Sequence, residues 1–187
     1  EADDWIAVAA RRASAAGVRV VIASSDKDFM QLVTPRVGLL NPGDKSERIW
    51  TEAEVIAKTG VRPAQIVDWL SLVGDSVDNI PGVPGIGPKT ATVLLQQFGS
   101  LEGIYAGLEE VKSDRVRESL TASRADMCRN QALIRLRDDV GVAFQLQDTV
   151  PGVEDRRQMA EMFQRWGFHS LLRELEARRE PELGEFL

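Results

Sequence analysis

Twelve residues constrain this chain more than any others: Ile80-Pro81-Gly82-Val83-Pro84-Gly85-Ile86-Gly87-Pro88-Lys89-Thr90-Ala91. Two prolines and three glycines before Pro88 disfavour a helix there. Pro88 sits where a helix favours its first residue, and Gly99 where it favours its stop, so the stretch reads as a tight turn opening into a helix over 89–98. Gly85 and Gly87 let the turn bring backbone N–H groups close to an anion. Ile86 is placed to plug the turn into a core, and Ala91 and Leu94 are spaced to pack on the preceding helix.

The amino end of the new helix favours the same anion, to which Lys89 adds a point charge and Thr90 a hydroxyl. A plain corner between two helices has no need of glycine–apolar–glycine followed by lysine. The segment therefore reads as a helix-hairpin-helix, with Gly82, Gly85, Ile86, Gly87, Lys89 and Thr90 as the candidate DNA-binding residues. Contacts of this kind go to the nucleic-acid backbone, so binding should be nearly blind to base sequence. The closing Gly-Pro-Lys-Thr is not a nucleotide-binding P-loop, which needs glycine immediately before the lysine, where this chain has Pro88.

Three acidic clusters accompany the hairpin: Glu1-Ala2-Asp3-Asp4, Ser25-Asp26-Lys27-Asp28 and Asp75-Ser76-Val77-Asp78. Any one alone is a solvated face or a helix cap. Asp26 and Asp28, however, directly follow the apolar run 18–23, at the carboxyl end of an expected strand, where open α/β sheets place their sites. Asp75 and Asp78 sit in a glycine-started loop directly after an expected helix. Hard oxygen donors with one histidine (His169) and one cysteine (Cys128) in the chain suit Mg²⁺ or Mn²⁺ rather than zinc. Two such ions can clamp the attacking and leaving oxygens of a phosphodiester.

Around these segments the pattern is mostly helical. Helices are expected over 2–16, 26–32, 51–59 (capped by Thr51 with Glu54), 63–73, 113–121, 124–137 and 154–166, with an extended stretch near 142–146. Val37-Gly38-Leu39-Leu40 and Glu47-Arg48-Ile49-Trp50 flank Asn41-Pro42-Gly43-Asp44 and read as a hairpin or two edge strands. The net charge of −6 speaks against a nucleic-acid partner until it is divided: residues 1–81 carry −3, 82–137 carry +2 and 138–187 carry −5. The hairpin segment is the positive one, so overall charge does not decide the matter. A single cysteine excludes an intrachain disulfide and fits a reducing cytosol, and no apolar run is long enough to span a bilayer.

Taken in order, Glu1-Ala2-Asp3-Asp4, the segment Ser25 to Leu32, the segment Gly74 to Gly82 and the hairpin resemble successive signatures of the 5′-nuclease domain of bacterial DNA polymerase I, in the flap endonuclease superfamily. Residues 163–172 resemble the end of that domain. The resemblance implies an α/β, mostly helical fold. A PIN-like or resolvase-like parallel sheet, incomplete here, would carry a helix-hairpin-helix (helix-3-turn-helix) subdomain. Residues 1–62 would belong to the nuclease domain and 63–137 to the hairpin subdomain, with 138–187 returning to the nuclease domain and ending in a charged tail. It implies metal-dependent 5′-3′ exonuclease or 5′-flap endonuclease activity in replication and repair, in the bacterial cytoplasm. Asp3, Asp4, Asp26, Asp28, Asp75 and Asp78 would be catalytic, and these six together with Glu1 would hold two Mg²⁺ or Mn²⁺ ions. K⁺ would sit at the hairpin. The partner would be duplex, nicked or 5′-flap DNA, with no membrane and no obligate protein partner.

The family's first strand, with a further aspartate, and its basic-aromatic arch do not precede the first signature here. The natural protein is expected to extend upstream, residues 1–187 alone to bind DNA weakly and cut it poorly, and an apolar edge near Val20 and Ile22 to be exposed. Two rivals share the hairpin. A noncatalytic DNA-binding fragment would keep the grip and lack the chemistry. A DNA glycosylase would use the hairpin lysine as nucleophile, but it needs an aspartate shortly after the hairpin helix, and from Phe98 to Leu108 the only acid is Glu102.

Overall fold

Alternation of small apolar residues with charged ones makes the opening segment an amphipathic helix. In the computed structural model, which describes residues 2–141 and 143–178, it is α1 (Ala2–Ala15), with Ala7, Val8, Ala10 and Ala13 buried. The chain then turns into β1 (Val20–Ala23), which pairs in parallel with β2 (Val37–Leu40), and β2 pairs antiparallel with β3 (Ile49–Trp50). The expected hairpin is therefore β2–β3, and the small sheet is mixed rather than purely parallel. β1 lies at the edge of this three-stranded sheet, yet the exposed apolar side chain is not the one expected: Ile22 is buried, whereas Val21 is 48% exposed. An all-apolar four-residue strand has no alternation from which to read its inward face.

Short-range signals fix the next elements. Asp26 caps a 3₁₀ helix (Lys27–Leu32) rather than belonging to an α-helix. Thr51 and Glu54 form the expected capping box at the start of α2 (Glu52–Thr59). Pro63 opens a 3₁₀ turn leading into α3 (Ile66–Val73). Pro88 is the first residue of α4 (Pro88–Phe98), and Gly99 ends it. Then follow α5 (Leu101–Ala106), α6 (Asp114–Ala122) and α7 (Arg124–Ile134), the last shorter than its sequence pattern suggests. The extended stretch expected near 142–146 does not form: 143–145 have no regular structure, Leu146 opens a 3₁₀ turn, and Val142 lies outside the described residues. Nothing among the described residues offers it a partner strand. One core, with Ile66, Leu70, Leu95, Ile104, Leu120 and Met127 essentially sealed from solvent, joins the helices to the sheet.

Two compact units result, residues 1–146 and 147–187. In the second, α8 (Arg156–Arg165) packs on α9 (His169–Ala177), with the Phe168 ring 6.3 Å from Phe163 and 5.9 Å from Trp166. The charged tail after Arg178 lies outside the described residues.

A two-residue ribbon carries the second acidic pair. β4 (Gly74–Asp75) pairs antiparallel with β5 (Ile80–Pro81). Gly74 has φ +82°, and a Cβ there would lie 2.4 Å from the Gly82 nitrogen; a Cβ on Gly82 would lie 2.2 Å from the Val73 oxygen. Backbone meets backbone at this point, and only glycine fits on either side. The buried Asn130 of α7 donates to the carbonyls of Pro81 (2.7 Å) and Ser71 (3.3 Å), tying the ribbon to the helices.

Gly82→Ala should therefore cost on the order of 3 kcal/mol or more. Gly87→Ala should change stability by less than about 1 kcal/mol, because Gly87 has extended backbone and nothing lies within 4 Å of its missing Cβ. Urea unfolding of the two variants checks this; equal losses would contradict it.

Candidate metal centre and nucleic-acid interface

The end of β1 and the ribbon β4–β5 deliver carboxylates to one place. Ser24 Oγ accepts the Asp26 N–H (3.1 Å), and Asp26 Oδ1 accepts the Asp28 N–H (2.9 Å), which aims Asp28 off the start of the 3₁₀ helix. Asp75 ends β4 with Oδ1 accepting the Val77 N–H (2.9 Å), a bond that curls the chain so that Asp78 comes beside Asp75, and Asn79, at φ 57°, then turns the chain into β5. One carboxylate oxygen from each of Asp28, Asp75 and Asp78 lies within 4.8 Å of the others. About fifty residues of sequence separate Asp28 from the other two, so tertiary structure makes this group.

The remaining acids have distinct places. Asp3 and Asp4 occupy the first turn of α1, and with Asp26, Asp28 and Asp78 they line one cleft of about 470 Å³. Asp4 Oδ1 accepts the Arg137 N–H (2.7 Å). Glu1 lies outside the described residues. Arg135 and Arg137 line the same cleft, although no sequence pattern singled them out beyond the positive charge of residues 82–137.

Crowding shapes the electrostatics. Burial, then repulsion from Asp26, Asp78 and Asp75, pushes the Asp28 carboxyl up from 3.8 to about 7. Burial, then Asp75 and Asp26, likewise raises Asp78. Asp75 goes the other way. Burial alone would raise it, but hydrogen bonds from Lys27 and from the N–H groups of Val77 and Asp78 outweigh burial and hold it below its ordinary range. The Lys27 ammonium is 2.8 Å from Asp75 Oδ2.

These residues fit a divalent cation. The donors are all hard carboxylate oxygens, and oxygens sharing an ion at about 2.1 Å lie about 3 Å apart when adjacent and about 4.2 Å when opposite, so side-chain rotation is what would bring these three onto one ion. Asp28 Oδ1 is also buried without a hydrogen-bond partner, a costly state that a cation would relieve.

The second feature is the turn before α4. Gly85 takes φ +79°, and Ile86 between the two glycines is 5% exposed and part of the core, as its spacing implied. Gly87 caps α4 without a capping side chain, so the first N–H groups of the helix face out beside the exposed Lys89 and half-buried Thr90. Gly82 is half-buried, and its Cα packs against the backbone of Val73 and Gly74. Arg115 of α6, distant in sequence, places its guanidinium 3.8 Å from where a Gly85 Cβ would be, adding a cation beside the turn.

Comparison with known proteins agrees with this geometry. Residues 1–60 match the family model of the 5′-3′ exonuclease N-terminal resolvase-like domain, and residues 61–157 that of the 5′-3′ exonuclease C-terminal SAM fold. The chain is 39% identical over 179 residues to DNA polymerase I of Bacillus caldotenax, covering 95% of this chain and 20% of that protein. It is 38% identical over 176 residues to a 5′-3′ exonuclease of Aquifex aeolicus, covering 94% of this chain and 59% of that one. A crystal structure of the bacteriophage T5 protein with metal ions superposes with a TM-score of 0.66 at 27% identity, over 73% of this chain and 51% of that one. A T5 flap endonuclease complex with DNA and metal ions gives 0.64 at 25% identity, over 73% and 50%. The chain thus spans about a fifth of the polymerase relative and about half of the solved nucleases.

The raised Asp28 has a consequence for stability. Folding favours its protonated form, so its contribution is fully present below about pH 4 and is lost as pH rises through about 7. In chelator, Asp28→Asn should be more stable than the parent at pH 8 by about 1–2 kcal/mol, after discounting for solvent access, with little difference at pH 4. Denaturant titrations at the two pH values test this; the same difference at both would contradict it.

Proposed function

The chain belongs to the 5′-3′ exonuclease family, and from that premise we propose that it is the metal-holding and DNA-gripping part of a 5′-nuclease, which hydrolyses DNA phosphodiester bonds from a 5′ end or at a flap junction. The observation that carries this reading is the convergence of Asp28, Asp75 and Asp78 to within 4.8 Å, with one buried Asp28 oxygen unpartnered. These three would hold one Mg²⁺ or Mn²⁺ directly. Asp3, Asp4 and Asp26, on the same cleft, would serve a second ion directly or through water, together with Glu1. When bound, two such ions supply Lewis-acid chemistry, polarising the phosphodiester and offsetting charge as it develops on the oxygens.

The chain's own residues do the rest. Asp28 and Asp78 carry raised pKa values, so they keep their protons to higher pH than ordinary carboxyls, and a cation binds there in competition with those protons, more tightly as pH rises. Gly85, Gly87 and the uncapped start of α4 offer N–H groups to a DNA phosphate, and Lys89, Thr90 and Arg115 add two charges and a hydroxyl around it. K⁺ is the proposed monovalent ion at this turn. Arg135 and Arg137 border the acidic cleft and are suited to draw the strand towards it. Because these groups address the sugar-phosphate backbone, the substrate is duplex, nicked or 5′-flap DNA read by shape. The bacterial cytoplasm is the proposed place of action. No helix among the described residues is long and apolar enough to cross a membrane. A glycosylase would leave the acidic group without a use.

Fluorescence anisotropy with 5′-flap duplex DNA, and gel assays of its cleavage in Mn²⁺ with and without chelator, test the proposal. Binding that tolerates chelator, with slow cleavage that does not, is the expected pattern. Failure to bind either the DNA or Mn²⁺ would contradict it. Lys89→Glu should weaken binding about equally for all sequences and lower the salt slope by about one unit, while an unchanged slope would place Lys89 away from the phosphate.

A further inference from the structure

Lys27 sits between Asp26 and Asp28 in the chain, and its ammonium reaches across to Asp75 of the ribbon, 2.8 Å away. The two partners are unequally held. The Asp75 side chain is 2% exposed, whereas the Lys27 side chain is 38% exposed. Both Asp75 oxygens are already engaged, Oδ1 by the Val77 N–H at 2.9 Å and Oδ2 by Lys27. The Val77 bond belongs to the backbone of the turn. The Lys27 bond belongs to a flexible four-carbon stem, and is the one that can be exchanged. Lys27 also lines a cleft of about 280 Å³ with Ser24, Ser25, Asn41, Trp50 and Lys58, so its ammonium has open space to move into.

We propose that Lys27 is the resident counter-cation of this site: its ammonium occupies Asp75 in the cation-free protein and competes with the divalent ion for it. The inference rests on the reading of Asp28, Asp75 and Asp78 as a metal centre. Asp28, Asp75 and Asp78 lie together with Asp26 close by, their charges repel one another, and a positive charge on the deeply buried Asp75 lowers that cost while no ion is bound. The same charge opposes the arrival of a divalent cation, which gains Asp75 as a ligand only as Lys27 withdraws. A lysine here therefore stabilises the empty site at the expense of cation affinity. A merely structural lysine would have the opposite signature, because its loss would loosen the cluster and weaken cation binding.

Calorimetric titration of Mn²⁺ into the 187-residue chain at pH 8 separates the two. Lys27→Met, which keeps the apolar stem, should bind Mn²⁺ on the order of tenfold tighter than the parent, and Lys27→Arg, which keeps the charge, within about threefold of it. Lys27→Met should also melt at a lower temperature than the parent in chelator, with the deficit shrinking in saturating Mn²⁺. Lys27→Gln retains an N–H donor for Asp75 without the charge; it should bind tighter too, and serves if the methionine variant does not fold in chelator. If the parent binds Mn²⁺ and the folded uncharged variants bind it equally or more weakly, the counter-cation role is overturned and the metal centre stands. If the parent binds no Mn²⁺, the metal centre falls and this role with it.

Discussion

The contact between Gly74 and Gly82 is the constraint on which the functional parts of the molecule depend. It closes the ribbon β4–β5 backbone against backbone, at separations that no side chain permits. On one side of that closure the chain presents Asp75 and Asp78 to Asp28. On the other it enters the turn that ends in Gly85, Ile86 and Gly87 and launches α4. A single close approach therefore fixes where the acidic group begins and where the turn before α4 begins. Asn130, buried in α7, holds the same point from the helical side.

What the ribbon assembles is unfavourable in isolation. Burial and mutual repulsion lift Asp28 to about 7 and raise Asp78, and a buried oxygen of Asp28 goes without a partner. The fold tolerates this because the core beneath is continuous, from Ile66 and Leu70 of α3 to Met127 and Ile134 of α7. Lys27 on Asp75 offsets part of the repulsion. Strained electrostatics on a rigid support is what a site built to receive a cation requires, since the energy recovered when charge is neutralised becomes binding affinity.

Local signals made much of this legible in the sequence. Thr51 with Glu54 at the start of α2, and Pro88 and Gly99 at the two ends of α4, are local signals, and the structure places them as caps and stops. The convergence of Asp28 with Asp75 and Asp78 was legible from their chemistry, because hard oxygen donors beside a hairpin pointed to one use. The fold neighbours then bore out the α/β, mostly helical architecture. Other features need tertiary structure. Arg115 reaches Gly85 from α6, Arg135 joins Asp3 and Asp28 on one cleft, and Lys27 bonds Asp75 across 48 positions, pairings that no local pattern encodes. The ribbon itself is two residues per strand, too short for any alternation, and the close approach of Gly82 to Val73 joins residues on either side of the turn. Ile22, expected at an exposed edge, turned inward and Val21 outward for the same lack of period.

The central claim is that Asp28, Asp75 and Asp78 are ligands of one divalent ion. Anomalous diffraction at the manganese edge from crystals of this chain soaked in Mn²⁺ tests it most directly. The account predicts a strong peak within about 2.5 Å of a carboxylate oxygen of each of the three residues, with the Asp28 oxygen that lacks a partner turned towards it. A saturated crystal with no peak there, or with manganese bound only at other surface carboxylates, would contradict it.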